Sequence, residues 1–192
     1  NAFGNYRTLM QQMTLNPGMG NYLDMVRSTR TNPNENYARE VLQLFSIGLF
    51  KLNQDGSVQC IEHNPCQAGD TPDPTYDQDV VNNFTKVTTG WGFCNQAASC
   101  PNIAAGTVNY IDPMLVNAGI TTPGTNGANS RHDLTAKTLL SYPGSNSTNI
   151  AACTGTCDDT IGSINTYATN SLNQALELGV RGQDDRGGRD LV

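Results

Sequence analysis

The sequence predicts a mainly α-helical domain, irregular in outline, with long loops stapled by disulfides and room for a short β-hairpin. Three observations predict it. Apolar residues recur at helical spacing in several windows, charged residues are few, and all six cysteines fall in close pairs within turn-rich stretches. Of 192 residues, 37% are hydrophobic and 15% charged, so Asn, Thr, Ser and Gly supply much of the chain. A chain of this length can still bury about 70% of its unfolded surface in one core. No charge run or low-complexity linker divides it, so residues 1–178 read as one helical domain and 179–192 as a flexible polar tail.

Asn5 to Leu15 is the first expected helix, with Leu9, Met10 and Met13 apolar and Asn16-Pro17 ending it. Pro17 suits the first position of a second helix through about Val26, with Met19, Tyr22, Leu23 and Val26 on one side. The third, Pro33 to Gly48, is the best specified. Tyr37, Val41, Leu44, Phe45 and Gly48 share one face at i, i+4, i+7, i+8 spacing, a stripe suited to the core. Glu35 and Arg39 stand four apart in the favourable order for an ion pair. Asn32, Pro33 and Glu35 offer an N-cap, a first-turn proline and a third-position carboxylate, and Gly48 offers a C-cap.

Asn53-Gln54-Asp55-Gly56 reads as a turn, Ser57 to Ile61 as a short strand or extended insert, and Gln59 to Pro74 as a loop. Thr75 and Gln78 repeat the capping-box spacing before a helix that carries Val80, Val81, Phe84, Val87 and Trp91 inward, with Gly90 near its end. Residues 92–130 show little periodicity, with short strands expected around Thr107 to Ile111. Leu134 to Leu140 is an apolar run of one or two helical turns or a strand. Asp158 or Asp159 caps a last helix whose inner face is Ile161, Ile164, Ala168, Leu172, Ala175 and Leu176, and the pattern stops at Gly179.

The cysteines form three neighbouring pairs: Cys60 with Cys66, Cys94 with Cys100, and Cys153 with Cys157. Turn residues between the members make local bridging easy, although six cysteines formally allow about fifteen connectivities. Each such short loop stabilises by about 2 kcal/mol in the chain-entropy model. Loop disulfides point to an oxidising compartment: periplasm, cell surface or exterior. Zinc is the competing reading at the first pair, where His63 lies between the cysteines, but the spacing is wider than usual zinc-ligand spacing. The chain opens at Asn1 without a leader, as expected of a mature or internal segment. Two glycosylation tripeptides begin at Asn83 and Asn146 and carry little weight in a chain rich in Asn and Thr.

Net charge is −6, the sequence pI about 4.7, and only Lys51, Lys86 and Lys137 are lysines. That balance argues against nucleic acid as a partner. No window approaches the roughly 20 apolar residues of a membrane span.

Asn34-Glu35-Asn36-Tyr37-Ala38-Arg39-Glu40, followed by Leu42, Leu44 and Ile47-Gly48, resembles the hallmark of the bacterial family catalogued as domain of unknown function 1800. Tyr76-Asp77-Gln78-Asp79-Val80 with Thr89-Gly90-Trp91 resembles its next helix and that helix's end. His132-Asp133 with Lys137-Thr138-Leu139-Leu140 resembles a later motif, and Asn5 to Leu9 with Pro17 to Leu23 resembles the segment before the hallmark. The resemblance covers roughly residues 1–142, with the cysteine-bearing loops as insertions. It implies a mostly helical protein exported by bacteria, and no transferable activity. Many members carry histidine where this chain has Phe45, which weakens any histidine ligand there. The family continues where this chain has its Gly- and Arg-rich tail, so the expectation is a fragment of a longer protein.

Chemistry has few candidates among two histidines. An adjacent carboxylate can orient an imidazole, so His132 and Asp133, joined by Glu35 and Glu40, are the candidate catalytic set for metal-assisted hydrolysis with a divalent cation. The alternative is structural: Glu35 completes a cap, Glu40 and Arg39 pair with neighbours, and His132-Asp133 caps a short helix. Asn34, Asn36, Tyr37 and Arg39 are candidate binding residues for a sugar or partner, and Trp91 with Phe93 a candidate stacking platform, although Tyr37 and Trp91 also suit a core. No nucleophile elbow, phosphate loop or dinucleotide fingerprint occurs. The expected function is a structural or binding role in the periplasm or at the cell surface, towards a polymer or protein partner. Metal-assisted hydrolysis is the alternative, no cofactor is otherwise called for, and whether the chain is an enzyme stays open.

Overall fold

The computed structural model describes residues 4–95, 99–102, 107–116, 130–141 and 148–184, with side chains described to residue 180. Helix α1 (Tyr6–Leu15) starts where the Asn5 side chain accepts from the Thr8 N–H. Asn16 ends α1 and caps α2 (Pro17–Tyr22) by accepting from the Met19 N–H, with Pro17 in the first turn. The expected run to Val26 stops short, because Asp24 turns left-handed (φ 59°) ahead of a 3₁₀ turn, Met25–Arg27. That turn sends Leu23 and Met25 into the core and leaves Tyr22 78% exposed.

The hallmark segment is helical but not as its periodicity suggests. Helix α3 (Asn36–Glu40) begins four residues after Asn32, and the Asn34 carboxamide oxygen accepts from the Asn36 N–H. An asparagine side chain turned back on its own backbone prevails over the capping box. The Glu35–Arg39 ion pair forms as expected, at 2.8 Å. Beyond Glu40 the chain widens into a π turn, Val41–Phe45. Bonds of the i→i+5 type lengthen the turn and rotate later side chains out of α-helical phase. Tyr37 and Val41 therefore stay buried, Leu42 and Ile47 turn inward, and Leu44 is 66% exposed. Gly48 (φ +72°) closes the segment, its N–H donating to the Leu42 carbonyl at 2.9 Å. Leu44→Ser is accordingly expected to change unfolding free energy by less than about 0.5 kcal/mol in urea melts. A core position would lose several times that.

Helix α4 (Gln78–Thr88) is capped by Asp77, which accepts from the Val80 N–H. Thr75 is not the cap, since its hydroxyl donates to the Gly48 carbonyl, and Gln78 bonds Glu35 and Asn82. Val81, Phe84, Val87 and Trp91 are buried as the stripe predicts. Strand β1 (Trp91–Gly92) pairs antiparallel with β2 (Leu115–Val116), and β3 (Lys137–Thr138) with β4 (Asn149–Ile150). Within the run Leu134 to Leu140, the strand covers only Lys137 and Thr138. The strands expected at 107–111 do not form. Asn109 instead folds a turn around Asp112, whose carboxylate accepts from Asn102 and Asn109 side chains at 2.6 and 2.8 Å. The 50–74 insert is extended, tied by single bridges such as Leu52 to Val58 and Cys60 to Pro72.

Helix α5 (Ile161–Asp184) opens at Thr160, whose hydroxyl oxygen accepts from the Ser163 N–H, rather than at Asp158 or Asp159. Ile164, Ala168, Leu172, Ala175 and Leu176 are buried on its inner face. Residues 179–184, read from the sequence as polar tail, continue this helix. Residues 185–192 and Asn146 lie outside the described residues, while Asn83 lies within α4, donating to the Asp79 carbonyl.

All three disulfides are neighbour-to-neighbour, with Cα–Cα distances of 5.3, 5.7 and 5.2 Å. The mainly-α expectation is met in part: five α-helices carry the fold among the described residues, and two short strand pairs complete it.

Candidate functional site

Three segments distant in sequence are laced together by backbone hydrogen bonds. The Gly90 N–H donates to the Ser28 carbonyl at 2.8 Å, and the Arg30 N–H to the Arg131 carbonyl at 2.9 Å. The Asp133 N–H donates to the Thr89 hydroxyl at 2.8 Å, and His132 Nδ1 bonds the Thr89 carbonyl at 2.8 Å. Gly90 has φ +79°, and a Cβ there would lie 2.5 Å from the His132 nitrogen. Only glycine meets both demands, left-handed backbone and backbone-to-backbone contact.

This lacing opens a cleft of about 370 Å³ between the entry to α3, the outer side of α4 and the loop at Asp133. Arg30, Pro33, Glu35, Asn82, Thr85, Lys86, Thr89 and Asp133 line it. A second, more open cleft shares Arg30 and Asp133 and continues along Leu134, Thr135, Cys153 and Asp158.

The structure divides the candidate catalytic residues. Glu35 and Asp133 share the first cleft, whereas Glu40 is not among its lining residues. His132 is fully buried. Burial pushes its pKa down to about 4, the Thr89 bond opposing and the Lys137 charge reinforcing the shift. The ring is therefore neutral near pH 7, and because a carbonyl only accepts, Nδ1 carries the hydrogen. Asp133 does not cap a helix. One carboxylate oxygen accepts from the Thr135 N–H and hydroxyl at 2.9 and 2.6 Å and stands 3.6 Å from Lys137 Nζ. Burial pushes the Asp133 carboxyl up, but the Thr135 bonds and the charges of Lys137 and Lys86 outweigh it and hold it low. Glu35 is likewise held low, by its bonds to Arg39 and Gln78.

Among the described residues, no group of three His, Cys, Asp or Glu side chains converges as a metal site. Zinc at Cys60, His63 and Cys66 is overturned, because both thiols are consumed in a disulfide and His63 pairs with Asp70 at 3.1 Å.

The candidate binding residues are mostly structural here. Asn34 receives the Asn36 N–H, and its own N–H donates to the Ser28 hydroxyl at 3.0 Å. Tyr37 is 1% exposed and donates to the Thr14 hydroxyl at 2.8 Å, its pKa pushed by burial up to about 12. Arg39 joins Glu35 and Gln78 at the surface. Trp91 is buried, donating to the Val87 carbonyl at 3.3 Å, which removes it as a stacking platform. Phe93 instead meets Tyr110 edge-on at 5.1 Å.

Two lysines carry more of the site's electrostatics than composition suggests. Lys137 is fully buried, donating to the Asp133 and Thr135 carbonyls and the Tyr167 hydroxyl at 2.7, 2.9 and 3.1 Å. Burial pushes its pKa down to about 8, against the pull of Asp133. All three ammonium hydrogens are thereby engaged, so it anchors the loop. Lys86 lines the cleft from the last turn of α4. The available signal was rarity: a lysine inside the apolar run 134–140, and another among only three in the chain.

The family described as a protein of unknown function, DUF1800, matches the chain over residues 1–160. No curated protein and no solved structure matches it. Among the described residues no helix is long and apolar enough to cross a membrane.

Proposed function

Starting from the fact that this chain belongs to the DUF1800 family, we propose that it serves as a non-catalytic binding module of an exported protein. Its ligand is a polymer or partner segment of the cell envelope. One observation carries the reading: the hallmark segment and the His132-Asp133 loop meet α4 around a cleft in which the Glu35, Thr85, Thr89 and Asp133 side chains are already held by bonds within the fold. Prealigned polar walls suit recognition, because little side-chain freedom is lost when a ligand enters. The three closed disulfides are consistent with an oxidising compartment.

Metal-assisted hydrolysis by His132, Asp133, Glu35 and Glu40 has less support. Glu35 and Asp133 share a cleft, but the buried imidazole already bonds Thr89 and Glu40 lines neither cleft. Co-sedimentation of the full chain with envelope fragments and insoluble cell-wall polysaccharide tests the proposal. Retention is the expected result. A stoichiometric metal in the purified protein, coupled to hydrolysis and no retention, would instead favour the enzyme.

A further inference from the structure

Resting on that binding role, we propose that the first cleft takes the oxyanion of an acidic sugar unit, a carboxylate or a phosphate, with Lys86 as the contacting charge. The cleft carries Arg30 and Lys86 against Glu35 and Asp133. Both carboxylates already have cations: Glu35 has Arg39 at 2.8 Å, and Asp133 has Lys137 at 3.6 Å. Counting those partners, four cations surround two carboxylates, a local surplus of positive charge in a chain whose net charge is −6. Arg30 has contacts of its own. Among the described residues, no hydrogen bond or ion pair engages the Lys86 ammonium.

The balance of donors and acceptors points the same way. The Thr85 hydroxyl donates to the Val81 carbonyl, and the Thr89 hydroxyl to the Lys86 carbonyl, so neither offers its hydrogen to a ligand. Asn82 receives the Gln78 amide on its oxygen, which leaves its NH₂ group as a donor. The uncommitted donors on the α4 wall are thus an ammonium and an amide, four residues apart and so neighbours on the helix surface. They match the oxygens of an anion. The lone pairs of the Thr85 hydroxyl and the Glu35 carboxylate remain as acceptors for sugar hydroxyls, whereas the fully buried Thr89 hydroxyl already accepts from the Asp133 N–H. The volume of about 370 Å³ is in the range of small-molecule sites.

The test is calorimetric titration of the full chain with galacturonate and with galactose 6-phosphate, using galactose as the neutral control. Anion binding is expected and galactose binding is not; the stronger of the two anions identifies the source. Lys86→Gln is expected to weaken both by about tenfold or more, the scale of a charged hydrogen bond, with an unchanged melting temperature. Asn82→Asp places a carboxylate on the exposed part of the same wall and is expected to weaken both without removing the lysine. Galactose bound as tightly as the anions overturns the assignment, as does unchanged affinity in both variants. Polymer retention that survives Lys86→Gln undiminished also overturns it, and leaves the binding role standing. Lys86-dependent anion binding without any retention on envelope material supports the oxyanion site and removes the envelope role.

Discussion

Gly90→Ala is expected to be the most damaging single substitution in this chain, lowering stability by about 4 kcal/mol or more. Two costs add. An L side chain at φ +79° is strained by about 1–2 kcal/mol. The new Cβ would also lie 2.5 Å from the His132 nitrogen, 2.7 Å from the Arg131 carbonyl carbon and 2.8 Å from the His132 Cα. These are backbone atoms and cannot swing aside as a side-chain tip can. Relief requires pulling the 131–133 loop off α4, which breaks the His132 and Asp133 bonds to Thr89. A melting-temperature drop of about 10 °C or more, or failure to accumulate folded protein, is the expected result. Gly48→Ala is the control. Gly48 has a similar φ of +72° but open space around its Cβ position, so only the backbone cost applies, about 1–2 kcal/mol. Equal effects at the two glycines would contradict the close contact.

Acidification is expected to remove about 3 kcal/mol between pH 6.5 and pH 4 through His132 alone. Burial holds the folded-state pKa at about 4, below the ordinary value of 6.5. Over that window the unfolded chain binds a proton that the folded chain refuses. Stability from this group is complete above pH 6.5, declines as pH falls, and loses nothing further below pH 4. The low-held carboxyls of Asp133, Glu35 and Asp112 act in the same direction, with their loss centred below the ordinary carboxylate range. Urea melts at pH 7 and pH 4.5 check this, with His63→Gln as the companion variant. His63 is exposed beside Asp70, so its removal should leave the decline in place. Equal stability at the two pH values would mean that His132 is not buried neutral.

What the sequence makes legible is what neighbours within a few residues decide. The Glu35–Arg39 pair, the three cysteine pairs, Pro17 at a helix start, Gly48 at a helix end and the Val81-Phe84-Val87 stripe all have that range. Local rules mislead where tertiary bonds compete. The capping-box spacing points to Thr75, but its hydroxyl is drawn to the Gly48 carbonyl and Asp77 caps the helix instead. The π turn defeats periodicity itself, because a phase shift at Val41 moves Leu44 outward while leaving composition unchanged. Trp91 at the end of an apolar stripe reads as core ahead of platform, and its burial beside Val116 agrees. The cleft was the least legible feature. Its walls come from residues 30–35, 82–89 and 133, and their meeting depends on Gly90 fitting under a loop more than forty residues away.

The most direct measurement of whether the His-Asp motif is a structural peg is an NMR titration of the imidazole nitrogens, with and without zinc. Only His63 and His132 contribute signals. One ring is predicted to stay neutral down to about pH 4, with its hydrogen on Nδ1 and no response to zinc. A His132 ring that titrates at the ordinary value of 6.5, or a His132 signal displaced by stoichiometric zinc, would contradict the account and return the motif to catalysis.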